Sequence, residues 1–220
     1  MKYKTKTVDG HTLVYSSDWI HKIEPLAHWT YYWHQASLVE KHFSTDCKLL
    51  EIGIGTGFLS NYLKSKGKTI YTLDIDADKK PEFCADASSF DYNFLSLDGV
   101  LAFEIFEHLP LSLVDKVLCS LASSHVPRIV FSVPWNNRTP FYLKVKLPRM
   151  TEFCFSLNLP RLAIPTPAHF WELSAFSRNL GGKKLIEEND LNDLFSKHSY
   201  DLKQLERVNY IQFYRADLRL

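Results

Sequence analysis

The chain has 220 residues, 45% of them apolar, and a formal charge of +1, which suits one globular domain with a sizeable core and gives no global field for nucleic acid. Cys47, Cys84, Cys119 and Cys154 are widely spaced without a C-x-x-C pair, which argues against a disulfide framework or thiolate zinc site and points to a reducing cytoplasm. No apolar run approaches membrane-spanning length, and Met1-Lys2-Tyr3-Lys4 lacks the following apolar segment of a signal peptide, so no membrane partner is expected.

Residues 1–18 are polar and β-like, with Asp9-Gly10 as a turn signal; they are expected to form an appended hairpin or a loose arm. Residues 20–43 read as largely helical and crowded with rings, His28, Trp29, Tyr31, Tyr32, Trp33 and His34, with Trp19 just before them. Such a helix packs on the domain through its aromatic face, and some of the rings are also suited to cover a ligand. Leu49, Leu50 and Ile52 then form an apolar strand that runs into Gly53, Gly55 and Gly57. Phe58, Leu59, Tyr62 and Leu63 follow as the apolar side of a helix that Gly67 stops. Strand, glycine turn and helix together make a place where a ligand can touch bare backbone over a helix N-terminus.

Alternation continues. Residues 69–73 are a second strand ending at Asp74, and the short, charged stretch 76–81 with Pro81 cannot make a full helix. Residues 82–84 are therefore a brief third strand reached by a loop, and the all-apolar run 99–103 is a fourth, suited to a doubly covered parallel position. Pro110 opens a helix with Leu113, Val114, Val117, Leu118 and Leu121 as its buried stripe, and residues 128–133 make a fifth strand stopped by Pro134. Residues 134–168 break the pattern with prolines 134, 140, 148, 160, 165 and 167, and are expected to form an insertion or lid. Arg138, Lys144, Lys146, Arg149 and Arg161 outnumber Glu152 there, a spread that usually marks a solvated face. Asp190 is placed to cap a helix carrying Leu191, Leu194, Phe195 and His198, and residues 200–208 and 210–218 close the chain as an antiparallel pair. Strands alternating with helices predict a doubly wound, mostly parallel sheet with its ligand at the carboxyl edge.

Three features narrow the ligand. Phe58 stands where a dinucleotide fingerprint would want its last small residue. Glu51 precedes the first glycine, where a carboxylate suits a cationic ligand group better than a pyrophosphate. Asp74 ends the second strand, where an acid can accept from ribose hydroxyls, and Asp86 ends the third, placed for an adenine amine. Each of these two acids also has an ordinary use in capping its own turn. A ribose, an adenine and a positive centre without phosphate describe S-adenosylmethionine.

The run 49–58, Leu73-Asp74-Ile75-Asp76, Ala85-Asp86-Ala87, Leu97-Asp98-Gly99-Val100 and Glu104-Ile105-Phe106-Glu107-His108-Leu109 resemble, in order, class I S-adenosylmethionine-dependent methyltransferases. The likeness covers residues 46–133, and its second helix is missing. It implies a Rossmann-like α/β fold with a seven-stranded sheet, mostly parallel with an antiparallel last strand. It divides the chain into an N-terminal arm and aromatic helix, 1–45, and a methyltransferase domain, 46–220, with its lid at about 134–172. By position it puts Glu51, Gly53, Gly55 and Gly57 around the methionine part of the cofactor. It puts Asp74 on the ribose, Ile75 on the adenine face, Asp86 and Ala87 at the adenine edge, and Phe103 and Glu104 near the sulfonium.

Methyl transfer is an in-line displacement that positioning alone can accelerate, with a base needed only if the acceptor must lose a proton. His108 and His169 are the residues proposed for that work. Glu104, Glu107, His108 and His169 also resemble the metal ligands of RNA 2′-O-methyltransferases and quinone-biosynthesis enzymes, although metal-free family members carry the same E-x-x-E-H. The expectation is a metal-free O-methyltransferase of a small-molecule or glycan-type acceptor, with nucleic acid disfavoured. A metal-assisted RNA enzyme and a non-catalytic binding protein are the alternatives.

Overall fold

The computed structural model describes residues 3–219 except 17, 19, 21, 23 and 146–152; Trp19, Lys146, Pro148, Arg149 and Glu152, named above, lie outside the described residues. The elements are β1 (Lys4–Val8), β2 (His11–Tyr15), α1 (Leu26–His42), β3 (Lys48–Ile52), α2 (Phe58–Ser65), β4 (Thr69–Asp74), β5 (Phe83–Cys84), β6 (Gly99–Phe103), α3 (Leu111–Ser123), β7 (Arg128–Pro134), β8 (Asn137–Val145), β9 (Phe153–Pro160), β10 (Trp171–Leu173), β11 (Arg178–Asn179), β12 (Lys184–Ile186), α4 (Glu188–Ser196), β13 (Tyr200–Val208) and β14 (Ile211–Leu218). One seven-stranded sheet, in the order β13-β14-β7-β6-β3-β4-β5, organises them. β7, β6, β3, β4 and β5 run parallel, while β14 is antiparallel to both neighbours. This is the expected α/β doubly wound sheet with its antiparallel last strand.

Strand alternation divides the core between the two faces of this sheet. Leu49, Leu101, Phe103 and Val130 point to one face, where α1 and α2 supply Tyr31, Leu38, Val39, Leu59 and Leu63. Leu50, Ile52, Val100, Ala102, Ile129 and Phe131 point to the other, against α3 and α4 through Val114, Val117, Leu118, Leu121, Leu191 and Phe195. Residues buried on both faces explain why β6 reads as an unbroken apolar run. Gly99 is required by close approach, since a Cβ there would lie 2.3 Å from Phe43 Cε1.

Local signals settle most boundaries. Asp9 and Gly10 take φ of 48° and 77°, joining β1 to β2 as a two-residue turn. The aromatic helix starts later than expected, at Leu26, because Pro25 holds an extended conformation ahead of it. Between β4 and β5 there is only a three-residue 3₁₀ turn, Ala77–Lys79, which replaces the missing helix. The last helix is capped by Glu187 rather than Asp190; Asp190, at its third position, closes a reciprocal capping box with it. The small sheet β10-β12-β11 was not expected from sequence: its strands have three residues or fewer, too short for a periodic signal.

α4 is pinned to α3 by Asp115, which accepts from Lys197 Nζ at 2.8 Å and pairs with His198 Nε2 at 2.8 Å. Lys197 and His198 together hold the Asp115 carboxyl below its usual range. A lowered folded value makes this contribution present above the unfolded carboxylate pKa near ~4 and lost as pH falls through the folded one. Asp115→Asn is therefore expected to lower stability by about 0.5 kcal/mol at neutral pH, the pair being partly exposed, and by less in acid. Urea titrations at the two pH values check it.

Candidate functional site

A cavity of about 540 Å³ opens at the carboxyl ends of the parallel strands, where a doubly wound sheet binds its ligands. Glu51, Gly53, Gly55, Asp74, Ile75, Asp86, Ala87, Phe103, Glu104 and His108 all line it. Gly57 does not line it; it forms the N-cap of α2 with φ of 75°. Three glycines in the left-handed region, at φ of 77°, 53° and 75°, let the chain turn from β3 into α2 with its backbone bare toward the cavity.

At one end the turn is fastened by the acids that follow it. Asp74 accepts from Ile54 N at 3.1 Å, Asp76 N at 2.9 Å and Lys79 Nζ at 2.9 Å. Asp86 accepts from Ser88 N at 3.2 Å and Ser88 Oγ at 2.6 Å. Both acids thus cap their turns and face the cavity at once. Glu51 is buried, its Oε2 has no hydrogen-bond partner among the described residues, and burial pushes its carboxyl up to about 8. An orphaned carboxylate oxygen beside a glycine turn is a place for a cation.

The other end gathers carboxyls and imidazoles from two distant stretches. Glu104 has φ of 54° after β6, and its Oε1 accepts from Ser132 Oγ at 2.9 Å. Burial raises its carboxyl to about 8. Glu107 is fully buried, neither carboxyl oxygen has a hydrogen-bond partner among the described residues, and Oε1 lies 4.0 Å from His108 Nε2; desolvation together with Glu104 drives its pKa well up. His108 faces the cavity with its side chain 37% exposed, and desolvation together with the neighbouring His169 lowers its pKa from the usual imidazole range. His108 Nδ1 lies 3.2 Å from the Ala168 carbonyl oxygen, which accepts from it. His169 Nδ1 lies 2.7 Å from Glu172 Oε1, and Asn136 Nδ2 donates to Glu172 Oε2 at 2.5 Å. The two rings meet edge to face with centroids 4.8 Å apart. His169 stands behind His108, outside the cavity lining.

Glu107, His108 and His169 each bring a ligand atom within 4.8 Å of one another. Both Nδ1 atoms are taken by oxygen acceptors, which leaves each Nε2 for a ligand, as in histidines that hold metal ions. This donor set fits a divalent cation and would supply a Lewis acid to an acceptor hydroxyl. Glu104 is outside it, its Oε1 being engaged by Ser132.

Several lining residues carry no motif. Tyr3, Leu13, Tyr15 and Ser16 come from the N-terminal hairpin, which is tied over the site by Lys4 Nζ donating to Asp76 at 2.8 Å and by its ion pair with Asp78. His28, Tyr31, Tyr32 and Gln35 of α1 form another wall, with Tyr210 and Ile211 beside them. Tyr32 Oη donates to Glu24 at 2.7 Å and meets Thr56 Oγ1 of the glycine turn at 3.2 Å. The ring-crowded sequence of α1 was the only signal for these residues. Trp29 and Trp33 stay exposed.

The chain matches no protein-family model and no curated protein by sequence. Solved structures do resemble it. Magnesium protoporphyrin IX methyltransferase from Synechocystis PCC 6803, with bound S-adenosylmethionine, superposes with TM-score 0.56 at 14% identity, covering 91% of this chain and 88% of that one. The glycopeptide N-methyltransferase MtfA complexed with S-adenosylmethionine gives 0.56 at 12%, over 86% and 94% of the two chains. The 1,6-didemethyltoxoflavin-N1-methyltransferase of Burkholderia thailandensis gives 0.54 at 14%, over 87% and 80%. The fold of this chain is that of the class I S-adenosylmethionine-dependent methyltransferases.

Proposed function

We propose that this protein is an S-adenosylmethionine-dependent methyltransferase that methylates a hydroxyl of a small-molecule acceptor. One observation carries the reading: a single cavity joins the glycine turn with Glu51, Asp74 and Asp86 to a carboxyl–imidazole cluster at the end of β6. The first set suits the cofactor. Glu51 takes its α-ammonium, the bare glycine turn its carboxylate side, Asp74 the ribose, and Ile75, Asp86 and Ala87 the adenine. Phe103 and Glu104 lie toward the sulfonium. The cluster suits the acceptor, since a hydroxyl must lose its proton as the methyl group arrives. His108 meets the acceptor, while His169, held by Glu172, supports it from behind. Thr166 and Ala168, from the stretch expected to form the lid, frame the acceptor end. A screen with methyl-labelled cofactor across hydroxyl, amine and RNA acceptors tests the assignment, and transfer to amines alone would exclude the hydroxyl reading.

The buried Glu51 carboxyl makes cofactor affinity pH-dependent. Free Glu51 titrates near about 8, and only its ionised form pairs with an ammonium. Affinity for S-adenosylhomocysteine is expected to fall about tenfold per pH unit below that value. Glu51→Gln should bind more weakly and lose this slope in calorimetric titrations from pH 6 to 8.5; a wild-type affinity flat over that range removes the pairing.

A second reading rests on the buried Glu107 carboxyl, whose Oε1 lies 4.0 Å from His108 Nε2, with His169 beside them: a divalent ion held by Glu107, His108 and His169. Dialysis against chelator followed by metal addition separates the two. The metal-free reading expects turnover unchanged by chelator, and loss with recovery on Mg²⁺, Mn²⁺ or Zn²⁺ selects the metal.

A further inference from the structure

The antiparallel hairpin β8–β9 stands apart from both cores. Its register pairs Phe141 with Leu157, Leu143 with Phe155 and Val145 with Phe153, so three apolar cross-strand pairs share one face. All six side chains, with Leu159 next to them, are between 36% and 61% exposed. No strand or helix among the described residues covers that face. A two-stranded ribbon is marginal in water by itself, and a contiguous exposed apolar face of this kind marks an interaction site.

Charge selects the occupant. Residues 137–161 contain Arg138, Lys144, Lys146, Arg149 and Arg161 against Glu152, a net charge of +4, whereas the chain as a whole carries +1 and the remainder therefore −3. Two copies meeting through this arm would bring +4 against +4. An anionic bilayer offers acyl chains to the apolar face and opposite charge to a segment of this net composition.

We infer that the β8–β9 arm docks the protein onto anionic membrane surfaces, its apolar face entering the headgroup boundary. Absence of a spanning run, from which no membrane partner was expected, does not bear on docking of this kind. The inference is independent of the methyl-transfer reading, because none of the arm's seven apolar residues lines the cavity.

Co-sedimentation of the full chain with vesicles of equal parts phosphatidylglycerol and phosphatidylcholine, or of phosphatidylcholine alone, tests it. Binding to the anionic vesicles is expected, weakening with salt and falling at least tenfold in the double variant Leu143→Glu, Phe155→Glu. Circular dichroism and thermal stabilisation by S-adenosylhomocysteine should be unchanged in that variant, which separates loss of docking from loss of fold. Equal sedimentation of variant and wild type, or none with either vesicle, overturns the inference. So does a dimer in sedimentation velocity that the variant dissociates without any vesicle binding, which would give the face to a second copy.

Discussion

Replacing His169 with alanine is expected to lower turnover by about 10²–10⁴-fold, the usual contribution of a positioned acid–base group, with S-adenosylhomocysteine affinity unchanged within about twofold. The imidazole lies 2.7 Å from Glu172 and packs edge-on against His108, which faces the cavity. Alanine would also leave the buried Glu172 with one partner fewer, at a cost of about 1–3 kcal/mol in stability. His169→Gln separates the two effects. An amide can still donate to Glu172, so stability should largely return, whereas turnover should not. Turnover restored by glutamine would reduce His169 to a structural support. His108→Ala is expected to lose turnover to a similar extent, because His108 is the imidazole that meets the acceptor.

Gly53→Ala is expected to damage both the fold and the cofactor end. Gly53 has φ of 77°, and a Cβ there would come within 1.8 Å of Ile105 Cδ1. The left-handed conformation costs a non-glycine residue about 1–3 kcal/mol, and displacing a packed side chain adds about 1–3 kcal/mol. The turn would shift away from Asp74, and S-adenosylhomocysteine affinity should fall more than tenfold. Adding Ile105→Ala removes the clash and leaves the strained φ, so the double variant should recover part of the stability but not all. Denaturant titration of the four proteins in this cycle measures the coupling between the two positions; strict additivity would show that the ring of contacts around Gly53 relaxes freely.

The parallel sheet was legible because its information is local. Leu49, Leu50 and Ile52, and Val100 to Phe103, are buried on both faces of the sheet, and such strands are largely apolar, with Glu51 the buried exception. Gly53, Gly55 and Gly57 signalled their turn because few other residues accept positive φ. Asp74 and Asp86 were found for the same reason, as acids at strand ends, and the structure adds the backbone amides they hold. What sequence could not deliver was anything assembled from distant pieces. The pairing of His108 with His169 depends on how the segment after β9 returns to β10, 60 residues later in the Nδ1-to-carbonyl contact that fixes it. The cavity wall made by Leu13 and Tyr15 depends on a hairpin held by Lys4 against Asp76 and Asp78. The hairpin β8–β9 was hidden by its prolines, since Pro140 and Pro160 argue against strands except at edges, and here both strands are edges.

Calorimetric titration of the purified chain with S-adenosylhomocysteine at pH 8.5, above the Glu51 value of about 8, tests the central claim most directly. The account predicts one ligand per chain, a melting temperature that rises with the logarithm of ligand concentration, and affinity more than tenfold weaker in Gly53→Ala. No heat and no shift in melting temperature at millimolar ligand would contradict it, leaving a methyltransferase fold that binds something other than this cofactor.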